Sequence, residues 1–378
     1  MSKREWREAE KSAGQGRWEE AGPRYAALAE RARRVMDRRE QRDAAALAAD
    51  AYRRDDQPAA AAKMLLLARE GGRDEASDSA QLAAVLLDAG QIDAAYDIAS
   101  AALLRASAAP GGDPVGTTLA LDTLVGLCLT RGEVEVARAH LDRLAALALP
   151  GSELSRRFRA AQVDRLDGLV SAAEQAWLAL AAELEPHAQA SGPAGAAWSE
   201  LGEIDLLRAA FFEGSDTGGA RKYCERAIER FDRALACWTR AGRRAGVFRA
   251  EAWAARARAV AGETLVAPGI DRAIAYAIER GMPLLEADLR ACRAVVKGDP
   301  DDLLHALDRL GEAPLARGRV RVLTAELGGS ADLELALTEL APDGPWRARA
   351  MRALGRRTGN AYLVEEAATL GAAWFEGV

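Results

Sequence analysis

Gly90-Gln91-Ile92-Asp93-Ala94-Ala95-Tyr96-Asp97-Ile98-Ala99-Ser100-Ala101-Ala102 is the stretch on which the fold turns. After the glycine, Ile92, Ala95, Ala99 and Ala102 follow one another at spacings of three and four. An α-helix places such positions on one face. The glycine closes the helix before it, because glycine enters the left-handed conformation without steric cost. The phrase therefore predicts a helix end, a tight turn and a new amphipathic helix.

The same phrase recurs along the chain. Gly132 leads Val134, Ala137, Leu141 and Leu144. Gly168 leads Val170, Ala173, Trp177 and Leu180. Gly16 leads Trp18, Ala21, Tyr25 and Leu28. A degenerate copy starts at Asp56, with Pro58, Ala61, Leu65 and Ala68. Pro58 suits a first helical turn, where its missing N–H costs nothing. The preceding segments carry matching stripes, such as Leu121, Leu124, Val125, Cys128 and Leu129, or Ser79, Leu82, Ala83 and Leu86. A single helix pair cannot bury both its faces, and stacking on neighbours solves this.

Composition agrees. Hydrophobic residues make up 49% of the 378 and aromatics only 5%, so alanine dominates the apolar share. Alanine is the strongest helix former and lets helices approach closely. No stretch alternates apolar and polar as a half-buried strand does. The expectation is all-α.

The phrase resembles the tetratricopeptide repeat, a helix-turn-helix unit of about 34 residues. The step from Asp56 to Gly90 fits that length, and the steps to Gly132 and Gly168 are longer. The family's early Leu-Gly survives at Leu201-Gly202, and its terminal proline at Pro186. The resemblance, to a divergent bacterial type, implies a right-handed α-solenoid of antiparallel helix pairs. It is most specific over residues 76–185. On this reading residues 1–185 are N-terminal repeats and 186–195 a break. Residues 196–378 form C-terminal repeats with longer, then shorter, pairs. That C-terminal third also resembles the helical repeat tails of large bacterial signalling proteins.

In that family ligands lie in a concave groove lined by the first helix of each pair. Carried onto this chain, the resemblance implies groove positions at Asp122, Arg159, Glu203 and Arg293. Trp198 and Trp253 fall in first helices as candidate anchors, against the plainer role of filling gaps between alanine-rich helices. The mixed signs suit a polypeptide partner, and an arginine there could clamp a carboxylate. Trp374 and Phe375 in the terminal helix are candidates for self-association.

Catalytic constellations do not emerge. His140, His187 and His305 have no ligand at metal-binding spacing, and no phosphate loop or Rossmann glycine pattern is present. Gly214-Ser215-Asp216-Thr217-Gly218-Gly219 reads as an interhelical turn. The expectation is a non-enzyme without metal or cofactor, a scaffold or adaptor for a protein partner. The alternatives are a regulatory receptor that binds a signal peptide or small ligand and changes conformation, and an enzyme hidden on the helical frame.

Net charge is −6 with interspersed signs, which gives no strong pull toward nucleic acid. The arginine clusters at 31–39 and 347–357 read as solvated helix faces. The segment from Met1 to Trp6 is charged, which predicts no secretory signal. The absence of a long apolar run predicts no membrane insertion. Cys128, Cys224, Cys237 and Cys292 lack paired spacing and fit a reducing compartment. Together these point to the cytoplasm.

Overall fold

The computed structural model describes residues 3–72, 75–109, 112–147, 149, 152–212, 217–263 and 268–375; side chains of 217, 218, 268 and 373–375 are outside that description. Among the described residues the chain is all-α, with twenty α-helices and one 3-10 turn. No helix among them is long and apolar enough to cross a membrane. The chain divides into two compact units, one of residues 1–127 with 278–282 and one of residues 128–277 with 283–378.

In the first unit, α1 (Lys3–Gly14), α2 (Trp18–Arg34), α3 (Arg38–Arg54), α4 (Pro58–Glu70), α5 (Ala76–Asp88) and α6 (Ile92–Ala108) each pack on the next. Helix α7 (Pro114–Arg131) runs from the first unit into the second.

The recurring phrase marks real helix starts. Helices α2, α4 and α6 begin at Trp18, Pro58 and Ile92, the first apolar residue of each copy. The residue two before each start has a positive φ, and at the degenerate copy this is Asp56, at 53°. Aspartate is one of the few non-glycine residues that tolerate this region. The turn is closed as a Schellman motif: the Gln91 N–H donates to the Leu86 carbonyl at 2.9 Å, and the Gln57 N–H to that of Tyr52 at 2.9 Å. Ile92, Ala95, Ala99 and Ala102 are fully buried.

The second unit opens with α8 (Val134–Leu147), α9 (Glu153–Leu166), α10 (Val170–Leu184), the 3-10 turn Ala188–Ala190, α11 (Ser191–Phe212) and α12 (Thr217–Arg240). It continues with α13 (Arg244–Val260), α14 (Pro268–Glu279, whose last two residues belong to the first unit), α15 (Pro283–Lys297), α16 (Asp301–Arg309) and α17 (Pro314–Glu326). It closes with α18 (Leu333–Glu339), α19 (Gly344–Thr358) and α20 (Ala361–Phe375). Sequential neighbours pack throughout α8 to α13 and α15 to α20. The first helices also touch one another in turn: α11 on α13, α13 on α15, α15 on α17 and α17 on α19. Residues 186–195, read from sequence as a break, lie inside this unit as the 3-10 turn and the first turn of α11.

Two features make this unit more than a row of neighbours. Its last helices return to its early ones, α19 and α20 on α11 and α20 on α10. Arg352 of α19 seals the contact by donating to the carbonyls of Ala210 at 2.7 Å and Phe211 at 3.1 Å. These carbonyls end α11 and have no intrahelical partner, so an arginine satisfies both hydrogen bonding and the helix dipole.

The long pair α11 and α12 is held by close approach. Gly202 faces the buried ring of Phe231, and Gly195 faces Trp238. A Cβ at Gly202 would stand 2.6 Å from the Phe231 ring, which is itself wedged in place. Gly202→Ala is expected to lower stability by about 1–3 kcal/mol through overpacking, read as a drop in thermal midpoint. An unchanged or higher midpoint would show that α12 shifts freely on α11.

Candidate functional site

Six helices of the second unit, α9, α11, α13, α15, α17 and α19, bring charged and aromatic side chains into one cluster. On α11, Glu200 and Glu203 are three residues apart and share one face. Glu203 Oε1 accepts from Arg319 Nη1 of α17 at 3.0 Å and from Arg165 Nη1 of α9 at 3.4 Å. Arg319 reaches onward, donating through Nη2 to Asp343 Oδ2 at 2.6 Å. Arg165 Nε stands 3.9 Å from Glu200 Oε2, beyond hydrogen-bond range.

On α13, Arg249, Trp253 and Arg256 lie at spacings of four and three, again one face. Asp288 Oδ2 of α15 accepts from Arg249 Nε at 2.9 Å and from Trp253 Nε1 at 2.9 Å. On α19, Arg349 makes a two-pronged pair with Glu326. Its guanidinium also lies 4.3 Å from the Trp346 ring centre, with Arg319 at 5.8 Å and Arg256 at 5.9 Å. Trp346 is thus a hub with cations around it.

Burial tunes these charges. It pushes the Glu203 carboxyl up, but Arg319 and then Arg165 outweigh it and hold the group below its ordinary value. Burial lowers the Arg256 guanidinium and raises the Cys292 thiol beside it. An arginine stays charged even so.

A second ionic network fastens α10, α11 and α12. Glu174 accepts from Arg230 at 2.7 Å and pairs with Arg208 at 2.6 Å. Asp205, with no exposed surface, pairs with Arg226, with Arg230 at 3.0 Å and with Arg208 at 3.5 Å. Here the two carboxyls diverge. Burial raises Asp205, which loses all hydration, despite its arginines. Burial also raises Glu174, but hydrogen bonds from Arg208 and Arg230 prevail and hold it at about 2.

The structure brings Glu203 and Trp253 into the inner cluster. Arg159 borders it, donating to Gln162 Oε1 at 2.9 Å, and Gln162 donates to Glu200 at 2.9 Å. Trp198 is buried on the opposite side of α11, with Arg233 of α12 over its ring at 4.7 Å. Arg293 faces α14 and α16, pairing with Asp271 at 2.5 Å and with Asp302. Its neighbour Cys292 faces the cluster instead. Asp122 is half-buried on α7, in the first unit. The side chains of Trp374 and Phe375 and residues 214–216 of the glycine-rich turn lie outside the described residues.

Sequence reading missed Arg165, Arg249, Arg256, Asp288, Arg319, Asp343 and Trp346. The spacing Arg249-Trp253-Arg256 was a usable signal for α13. Asp343 and Arg319 carried none, because their partners are remote in sequence. The arginine cluster at 347–357 is only partly solvated: Arg349 and Arg352 are internal ties. Among the described residues no group of three or more His, Cys, Asp or Glu is placed to hold a metal. A scan against protein-family models finds no match, and a search of curated proteins finds none either.

Glu174→Gln tests the ionic network through pH. A carboxyl held low in the folded state stabilises above its ordinary 4.5, and the benefit fades as pH falls toward 2. At pH 7 the variant is expected to be less stable by about 3 kcal/mol. The gap to the parent should close between roughly pH 5 and pH 2, measured by denaturant unfolding. A gap independent of pH would mean that the glutamate acts by packing alone.

Proposed function

We propose that this chain is a divergent tetratricopeptide-like α-solenoid that serves as a non-catalytic scaffold or adaptor, binding a polypeptide partner on the inner face of its first helices. The observation that carries this is the division of labour within each pair. Second helices such as α8 and α10 spend their stripes on burial, with Val134, Ala137, Leu144, Val170, Ala173, Trp177 and Leu180 all inside. First helices deliver both signs of charge and two indoles to a shared face. A surface of mixed sign with aromatic anchors suits a polypeptide better than a uniform polyanion. Four free, buried thiols fit the cytoplasm.

A regulatory-receptor reading has one specific observation in its favour. Arg319 ties α11 to the start of α19 across the inner face through Glu203 and Asp343. A ligand that competes for Arg319 would release that tie, and a change of conformation would follow from binding energy alone.

Photo-crosslinking separates inner from outer surfaces. A crosslinking residue at Arg249 or Gln162 is expected to capture a polypeptide from native lysate. The same residue at Glu229 or Arg221, exposed on α12, is expected to capture none in common with them. Capture of one partner from all four positions, or from α12 alone, would overturn the inner-face reading.

A further inference from the structure

Between α2 and α3 the chain makes a turn whose tip is apolar. Met36 is 76% exposed and Val35 66%, and Met36 is the most exposed large hydrophobic side chain among the described residues. The turn closes as those at Gly16 and Gly90 do: the Asp37 N–H donates to the Ala32 carbonyl at 3.0 Å, and the Arg17 N–H to that of Ser12 at 2.9 Å. The residue before each donor takes the left-handed conformation, and for Met36 φ is 59°. Glycine enters that region without steric cost, and a bulky side chain there is an outlier. Asp56, the other non-glycine residue with a positive φ among the described residues, is 4% exposed, and aspartate tolerates the region. Met36 neither eases its turn nor fills a core. A costly residue held in the open points to something outside the chain.

The charge around the tip has a matching bias. Residues 31–42 hold six arginines and two acids, Asp37 and Glu40. Asp37 caps α3, accepting the Glu40 N–H at 3.0 Å. Carboxylates from nearby turns meet part of the excess. Glu5 pairs with Arg31 at 2.5 Å, and Glu30 and Glu70 with Arg33 at 3.7 Å and 3.4 Å. Asp43 pairs with Arg42 at 2.9 Å and with Arg39 at 4.0 Å. Exposed pairs of this kind are weak, so these arginines stay available to a stronger anion. Arg34 and Arg38 flank the tip in the chain and are exposed, with no carboxylate in ion-pair range among the described residues. At physiological salt a charge acts over about 8 Å. The local excess, not the −6 of the whole chain, therefore decides what meets this tip.

We propose that this turn docks on an anionic phospholipid membrane, with Val35 and Met36 entering the headgroup boundary and Arg34 and Arg38 lying over the lipid phosphates and carboxylates. Both aliphatic side chains stand out from the surface, which leaves no groove to hold a peptide. A nucleic acid would use the arginines and leave those two side chains in water. A bilayer boundary accepts both. Neither a small apolar contact nor a few charges hold a protein to a membrane for long, and the two signals together do. The contact is peripheral and needs no spanning helix. The tip belongs to the first unit and the charged cluster to the second, so neither reading depends on the other.

Vesicle sedimentation of the full chain tests this, with phosphatidylcholine alone and with phosphatidylcholine carrying about 30% phosphatidylserine. The chain is expected to pellet with the anionic vesicles and to stay in solution with the neutral ones. Met36→Gly relieves the turn, so its thermal midpoint should equal or exceed the parent's. Its affinity for anionic vesicles should fall at least about fivefold. If that variant melts below the parent, Met36→Asn is read in its place, since asparagine also tolerates the turn. Arg34→Gln combined with Arg38→Gln should cost about tenfold in affinity. An environment-sensitive dye on Met36→Cys should shift to the blue with anionic vesicles. The same dye on Gln91→Cys, exposed in the turn before α6, should not; the four native cysteines are buried and stay unlabelled. No pelleting with anionic vesicles overturns the proposal, as does full binding by Met36→Gly or a blue shift from both dyes. Binding of soluble poly-glutamate with anionic vesicles refused would assign the tip to an acidic polypeptide and overturn the proposal as well.

Discussion

Glu203 is a carboxylate taken almost wholly out of water, and the second unit is arranged around keeping it ionised. Removing such a group from solvent is costly unless countercharge stands against it. Arg165 approaches from α9 and Arg319 from α17. The need for Arg319 draws a helix more than a hundred residues later onto α11. Asp343 then holds the other prong of Arg319, which fixes the start of α19. Arg352 completes the arrangement on the last carbonyls of α11. Apolar burial along the second helices supplies cohesion, but it does not by itself choose which distant helix meets α11. The charge pairs make that choice, because a mispaired arrangement would strand a charge inside.

Alanine is what permits this. Its small side chain lets helix axes approach, and glycine at 195 and 202 lets them approach further, so Trp238 and Phe231 can be large without opening a gap. The Phe231 ring in turn lies 5.8 Å from Trp253, one of the residues that flank Arg256. Packing between α11 and α12 is thus mechanically continuous with the polar inner face.

Local structure was legible in the sequence to a degree that remote structure was not. The phrase at Gly16, Asp56, Gly90, Gly132 and Gly168 marks its turns and helix starts because everything it requires lies within about ten residues. The stripes from Ile92 and Val170 are buried as their spacing predicts. Glu203 and Trp253, picked out by that same local register, both lie in the cluster of charged and aromatic side chains. Arg293 shows where register reasoning slips: one residue along α15 separates it from Cys292, and that step of about 100° carries it to Asp271 and Asp302. Arg319 and Asp343 could not be found this way. Their significance is a meeting of helices, and an arginine in a helical stretch looks the same whether it meets water or a carboxylate.

The return of α19 to α11 has a consequence for the order of events during synthesis. Most of the other helix contacts in the unit join helices one or two places apart in the chain, so they can form as successive pairs emerge. Arg319 is 116 residues beyond Glu203, and Arg352 is 142 beyond Ala210. Until those segments leave the ribosome, α11 waits with a half-neutralised carboxylate and an unsealed end. What waits on that side is mixed: the Glu203 carboxylate, which water solvates, and the Phe211 ring, which Gly371 of α20 later covers. The charged part of the closure can stay solvated through the delay, and the apolar part is what the late helices must shield.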